Sequence, residues 1–457
     1  METTKMRSIR AVAVNTIRQA LRLKIAVVFI LLLLILLPTL GLTVTGDQTI
    51  KGRLQTFLSY GLSLISLMLC LLTIIVTTYS VTTDIAKKQI YTVLTKPIRR
   101  YQLLIGKLLG VILLDAVLLI LFAAILFAFT KYIPYIHNAE KHDLTQLNNE
   151  FYTARTTVSP PLPDITDELE KTYKKILKSN QVPAEILQNP LAEKRYKNQL
   201  AGRIKLAKRA AAVGHAILWE FENVNPEPNH PLFLKYKYDV AVNPPDLQIF
   251  GRWEVGDFRQ YPPKFEVFTR RQLIRTTHEL QIPPYLVSED GYFAARFINL
   301  PLNNTTVIFP TEEDLQILYK AGSFNANFAR AILLIFFRLF FLACLAVFAS
   351  TFLSFPVAIL LCLTVFFTAA ISGFILESFD YLTGSITGFY SYIFRPAIQL
   401  IPKFDIYNPA EYLVTARLIS WPIVAEALAL MVVLKALSLF ALAMLIFKFK
   451  EIAKIIV

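Results

Sequence analysis

Long apolar runs occupy both ends of this chain, with a polar stretch between them. The runs fall at about 25–45, 57–81, 103–130, 328–350, 353–376 and 423–447. Each is near or above the roughly 18–20 apolar residues that cross a bilayer as a helix, so six spans are expected. Ahead of the first run, Met6, Ile9, Ala13, Ile17 and Ala20 recur every three or four residues, with Arg7, Arg10, Arg18 and Arg22 mainly elsewhere on the wheel. That spacing predicts an amphipathic helix at the membrane interface within residues 1–24. A plain basic flank of the first span is the simpler alternative.

The polar stretch 131–327 changes period partway. From about 164 to 218 the pattern is helical: Ile165, Leu169, Tyr173 and Ile176 share one face, Pro183 breaks it, and Asn189-Pro190 opens a second helix. A helical hairpin is expected there. From about 219 to 310 the period becomes two. Leu234, Tyr236, Tyr238 and Val240 alternate with Lys235, Lys237 and Asp239, and further short runs lie at 247–254, 264–276, 292–300 and 305–309. Short strands at that spacing predict a small β-sandwich. Thr311-Glu-Glu-Asp reads as the start of a short helix leading into the fourth span. Residues 377–422 are aromatic-rich, with Arg395, Pro396, Pro402 and Pro409. They suit short helices on the outer interface better than a re-entrant excursion.

Composition agrees with a membrane protein: 55% of the 457 residues are hydrophobic and the mean hydropathy is +0.49. The net charge of +14 could point to nucleic acid, but its placement argues against that. Residues 131–320 hold 24 basic and 23 acidic residues, so the excess lies around the spans. Residues 1–24 carry six basic and one acidic, the 84–107 loop six and one, and 448–454 three and one. Short basic loops stay on the cytoplasmic side. Both termini and the loop are therefore expected in the cytoplasm, and 131–327 outside. The three cysteines (Cys70, Cys344, Cys362) all fall within apolar runs, so the outside domain has no disulfide framework.

Signatures of catalysis are missing. Gly106-Lys107 is followed by Leu108, and position 101 is Tyr, so no nucleotide-binding phosphate loop can form. His137, His142, His215, His230 and His278 show no metal-ligand spacing, and neither G-x-S-x-G nor H-E-x-x-H occurs. No catalytic residue, metal or cofactor is expected in this chain. The helix after Pro190 carries a run of Lys and Arg that reads as a solvated face, or as a surface for anionic lipid headgroups or an acidic polymer.

The segment Asp84–Lys107 carries the strongest signal. It is too short for a domain and too charged for lipid, as expected of a docking loop between two spans. Leu94, Pro97 and Arg100 form Leu-x-x-Pro-x-x-Arg, and Gly106, Lys107 and Gly110 form Gly-Lys-x-x-Gly at the start of the third span. With the six-span layout and the amphipathic N-terminal helix, this resembles the permease subunits of ABC-2-type ABC transporters over roughly 1–130 and 328–457. The family pattern often has Glu and then Gly near the coupling helix; this chain has Asp84 and Gln89.

The resemblance implies a coupling helix at 84–95, within the loop 82–102, seated in a separate ATPase subunit. Asp84, Lys87, Lys88, Tyr91, Leu94, Pro97 and Arg100 are the contact candidates. It also implies a second permease (a homodimer or a related chain), ATP and magnesium on the ATPase alone, export as the direction, and the inner (plasma) membrane. A rigid helix tied to two spans turns movement of a docked partner into movement of those spans. The alternatives are a mechanotransmission permease, acting on envelope or periplasmic proteins through its outside domain, and a membrane-anchored binding module with no ATPase.

Three charges fall inside spans: Asp115, Arg338 and Lys435. Ionisable groups in lipid are costly and usually paired or functional. An Asp115–Arg338 or Asp115–Lys435 interhelical pair is expected, as a structural staple or, alternatively, a substrate or proton site. The fold class is thus an α-helical polytopic membrane protein with a large extracytoplasmic α+β domain. Its parts are 25–130 and 328–457 in the membrane and 131–327 outside.

Overall fold

The computed structural model describes residues 2–47, 49–86, 99–161, 164–179, 190–228, 230–311, 314–381 and 394–449. The chain is mostly helical and divides into two units. One comprises Met1–Ala154 with Ser323–Val457, and the other is Arg155–Gly322.

The first unit is a helix bundle. Its elements are α1 (Glu2–Leu21), α2 (Lys24–Thr43), α3 (Ile50–Ala86), α4 (Arg100–Ile136), α5 (Lys141–Glu150), α8 (Phe324–Phe352), α9 (Phe355–Ala370), α10 (Ser372–Tyr381), α11 (Pro409–Val414) and α12 (Trp421–Phe449). Five of these, α2, α3, α4, α8 and α12, are long and apolar enough to cross a membrane. Their apolar faces build one core with members from α3 (Phe57, Leu69), α4 (Phe122, Leu126) and α8 (Leu339, Ala343).

The fifth expected span is not one continuous helix. α9 is shorter, 16 residues, and the helical path breaks at Ile371 before α10. Asp405 makes the break: Ser372 Oγ donates to its Oδ1 (3.1 Å), and Gly373 N donates to its Oδ2. Phe404 N also donates to the Ala369 carbonyl (3.0 Å) at the end of α9.

The second unit holds α6 (Thr166–Lys178) and α7 (Pro190–Lys208), whose Tyr173, Leu200 and Ile204 form a small cluster. Among the described residues eleven strands accompany them: β1 (Thr153–Val158), β2 (Ala210–Ala211), β3 (Ala216–Phe221), β4 (Leu232–Tyr236), β5 (Asp239–Val240), β6 (Gln248–Asp257), β7 (Lys264–Leu273), β8 (His278–Ile282), β9 (Phe293–Asn299), β10 (Val307–Ile308) and β11 (Leu315–Ser323). They form two four-stranded sheets, ordered β1-β11-β4-β8 and β3-β9-β6-β7, and a small sheet β2-β10-β5. Inward side chains of the two larger sheets share one aromatic core, where Tyr236 of β4 meets Trp253 of β6 (centroids 4.7 Å apart) and Trp253 meets Phe297 of β9 (5.0 Å).

The segment expected to be a short helix after Thr311 is instead β11, paired antiparallel with β4 from Leu315↔Tyr236 to Leu318↔Phe233. The Thr-x-x-Asp pattern is a local signal. Strand pairing to residues 80 positions away overrides it.

Candidate functional site

At one end of the bundle, α3 ends and α4 begins, flanking the loop. Lys107, in the second turn of α4, is 3% exposed. Its ammonium donates to the Ser80 carbonyl (2.6 Å) and hydroxyl (2.9 Å), and pairs with Asp84 Oδ2 at 2.6 Å. A lysine has three donors, and all three are spent on the last turns of α3. The two helices that carry the loop are thereby fastened to each other.

Gly106 and Gly110, one turn apart on α4, admit α1. A Cβ on Gly106 would lie 2.7 Å from the Val12 Cβ, and one on Gly110 would lie 2.6 Å from the Ala13 carbonyl oxygen. Small residues four apart let helix backbones approach in this way. Arg99 N, at the start of α4, donates to Gln102 Oε1 (2.9 Å). Arg100 donates to the carbonyls of Phe447 and Lys448 at the end of α12 (3.3 Å each). Cationic donors near a helix C-terminus satisfy carbonyls left without intrahelical partners.

Of the expected coupling residues, the structure brings Asp84 and Arg100 to this end of the bundle. Both engage neighbouring helices. Lys87, Lys88, Tyr91, Leu94 and Pro97 lie outside the described residues.

The three charges within the spans are placed differently from expectation. Among the described residues, neither Arg338 nor Lys435 pairs with Asp115. Arg338, midway along α8, donates through Nη2 to the carbonyls of Phe404 (2.5 Å) and Tyr407 (2.9 Å). Lys435 donates to the carbonyls of Gln399 (2.9 Å) and Ile401 (2.8 Å). Both cations thus serve the C-terminal end of the helical segment 394–400 and the turn that follows it. The physical reason is the backbone: the turn at 401–408 has no helical partners for its carbonyls, and those acceptors take the donors that an anion would otherwise hold.

This turn reaches the level of the middle of α8. It dips against α8, where Arg338 holds the Phe404 and Tyr407 carbonyls. Irregular backbone at such a depth persists where it is buried in protein or lines a cavity. Here it does line one, of about 330 Å³, whose polar walls are Ser63, Ser66, Arg338, Asp405, Asn408 and Glu411.

Asp115 receives a hydrogen bond from Thr73 Oγ1 at its Oδ2 (2.9 Å), while its Oδ1 is buried without a partner. The histidines serve local contacts: His137 with Arg53 (2.9 Å), His230 with Lys320 (2.5 Å), and His278 with the Leu273 carbonyl (2.8 Å).

Sequence reasoning missed Ser80, Asp405 and the packing role of the glycines. The Gly-x-x-x-Gly spacing was a readable sign of the last. Pro402, Asp405 and Asn408, close together between apolar runs, were a sign of the dipping turn. No family model, curated protein or solved structure matches this chain.

Proposed function

We propose that this chain is the transmembrane permease subunit of an ABC-2-type ABC transporter, with six spans, both termini in the cytoplasm and the Arg155–Gly322 unit outside. A separate ATPase docks on residues 84–95 from the cytoplasm and supplies ATP and magnesium. A second permease completes the path, and the inner (plasma) membrane holds the assembly. ATP-driven closure of the ATPases pushes the loop and moves α3 and α4 together, exporting a substrate.

The observation that carries this reading is the Lys107 fastening. A loop that only connects two helices needs no buried ammonium tying its two stems together. A loop that receives a load does, because unfastened stems would splay and dissipate the movement. The basic charge of the loop and its Leu-x-x-Pro-x-x-Arg and Gly-Lys-x-x-Gly spacing support the same reading.

One observation favours a second reading. Arg155–Gly322 is a separate unit with its own aromatic core, large for a plain exporter. It would let the same lever act on envelope proteins without moving a substrate.

The test is to purify the full chain from its native membrane and identify bound proteins. Recovery of an ATPase subunit with a phosphate-binding loop, lost on Tyr91→Ala/Leu94→Asp, is the expected result. An intact, folded chain that recovers no nucleotide-binding partner overturns the reading in favour of a membrane-anchored binding module. With the ATPase present, ATP-dependent substrate movement separates transport from mechanical action.

A further inference from the structure

Along α3, Ser63, Ser66, Cys70, Thr73, Thr77, Ser80 and Asp84 recur at alternating steps of three and four. Such spacing places them within one arc of roughly 100° on the helix. Ser63 and Ser66 line the cavity beside Arg338. Ser66 lies against the Cys70 thiol, which is within electrostatic range of both Arg338 and Asp115. Thr73 hydrogen-bonds Asp115, and Ser80 and Asp84 hold Lys107 at the loop end. One polar line thus runs from the cavity, past Asp115, to the fastening.

Hydroxyls in membrane helices are commonly spent on the carbonyl four residues back, as packing elements only. Thr82 makes that bond, and Thr73 shares its one proton between the Leu69 carbonyl (2.7 Å) and Asp115 Oδ2 (2.9 Å). Thr77 does not: its Oγ1 is buried and unpartnered, as are Thr78 Oγ1 and Asp115 Oδ1. Asp115 itself is 1% exposed. Groups of that kind are satisfied by water or an ion when buried.

The carboxylate has no ion-pair partner among the described residues. Among the described residues, no Lys, Arg or His of α1, α2, α3, α8 or α12 lies within 4 Å of Asp115, and Lys107 on its own helix is held by Asp84. Cys70 of α3 is a titratable neighbour on the same polar face. A metal ion would need several oxygen ligands, and no group of three His, Cys, Asp or Glu gathers anywhere among the described residues.

We propose that Asp115 is a proton-binding site, loaded and unloaded by water threaded from the Arg338 cavity along the Ser63–Thr77 face of α3. A hydronium ion gives its proton to Oδ1, the oxygen that Thr73 does not occupy, and leaves as water. Release is the reverse. Because Thr73, Thr77, Ser80 and Asp84 follow on the same face, the protonation state of Asp115 bears on the helix that carries the loop. The proposal needs only that the bundle lies in lipid, so its failure would leave the ATPase-driven reading untouched.

Infrared spectroscopy of the full chain in lipid nanodiscs tests it. The expected result is a carboxylic-acid carbonyl band at neutral pH that disappears in Asp115→Asn and shifts within minutes of transfer to D2O. Thr73→Val displaces the band by removing its hydrogen bond, and Ser66→Leu slows the D2O shift severalfold by blocking the way in. Should Asp115→Asn fail to fold, Asp115→Glu must move the band instead. No band attributable to position 115, or one that ignores D2O for hours, overturns the proposal: the first leaves an ionised carboxylate, the second a sealed staple.

Discussion

Arg155 and Arg338 are both largely enclosed arginines, yet their partners differ in kind. In the β-rich unit Arg155 makes a two-pronged ion pair with Glu279 (3.0 and 3.2 Å) and covers the Phe233 ring. In the bundle Arg338 meets no carboxylate at hydrogen-bonding distance among the described residues and donates instead to two backbone carbonyls. Arg155 sits on β1, whose backbone pairs with β11 in the sheet, and its charge goes to another side chain. The turn at 401–408 has no ladder, so its bare carbonyls take the donors of the charged side chain. Where the backbone is complete, charges answer each other; where it is broken, they answer the backbone.

The molecule carries native reporters for this contrast. All three cysteines are buried in the bundle, while Trp219 and Trp253 lie in the β-rich unit. A thiol-reactive dye therefore follows unfolding of the bundle. Tryptophan emission in a Trp421→Phe background follows the other unit.

The largest effect is expected from Arg338→Met. It strands two buried carbonyls at roughly 1–3 kcal/mol each, about 4 kcal/mol in total, and the dye should report it while tryptophan emission stays unchanged. Asp84→Ala comes next. It leaves the buried Lys107 ammonium with only Ser80, and breaking a buried pair in this way costs about 3 kcal/mol. Adding Lys107→Met should recover much of that loss, and a double-mutant cycle measures the coupling.

Arg155→Met should cost less, about 1–2 kcal/mol, because Glu279 keeps a quarter of its side chain in water. Only tryptophan emission should move. If Arg155→Met proved costlier than Arg338→Met, the contrast would be wrong.

The smallest effect is a pH dependence. Hydrogen bonds from Arg275 and Arg271 hold the carboxyls of Asp239 and Asp246 below the usual carboxylate range. A depressed folded-state value contributes stability above the unfolded value of about 4, which is lost as pH falls through the folded one. The tryptophan-monitored transition should therefore be flat from neutral pH down to about 5 and weaken below it. Asp239→Asn/Asp246→Asn should flatten the acid limb.

Legibility in the sequence divides along the same line. The apolar runs and the alternating strands β4, β6, β7 and β9 were readable because their burial has a fixed period. β8 (His-Glu-Leu-Gln-Ile) has only two apolar residues, and β3 directly follows an alanine-rich helical pattern, so neither stood out. The break at Ile371 was hidden because 353–376 is continuously apolar and the capping carboxylate, Asp405, lies some 30 residues later. Arg338, Lys435 and Asp115 were recognisable as costly charges. Their partners were not, since sequence displays side-chain charges and conceals which carbonyls a distant turn leaves bare.

The most direct test of the account places a single cysteine at position 91 in a Cys70→Ala/Cys344→Ala/Cys362→Ala background and adds a membrane-impermeant maleimide to sealed vesicles. Labelling in inverted vesicles alone, and its suppression when the ATPase is bound, is the result expected of a lever on the cytoplasmic face. Labelling from the outer face of right-side-out vesicles would contradict the account.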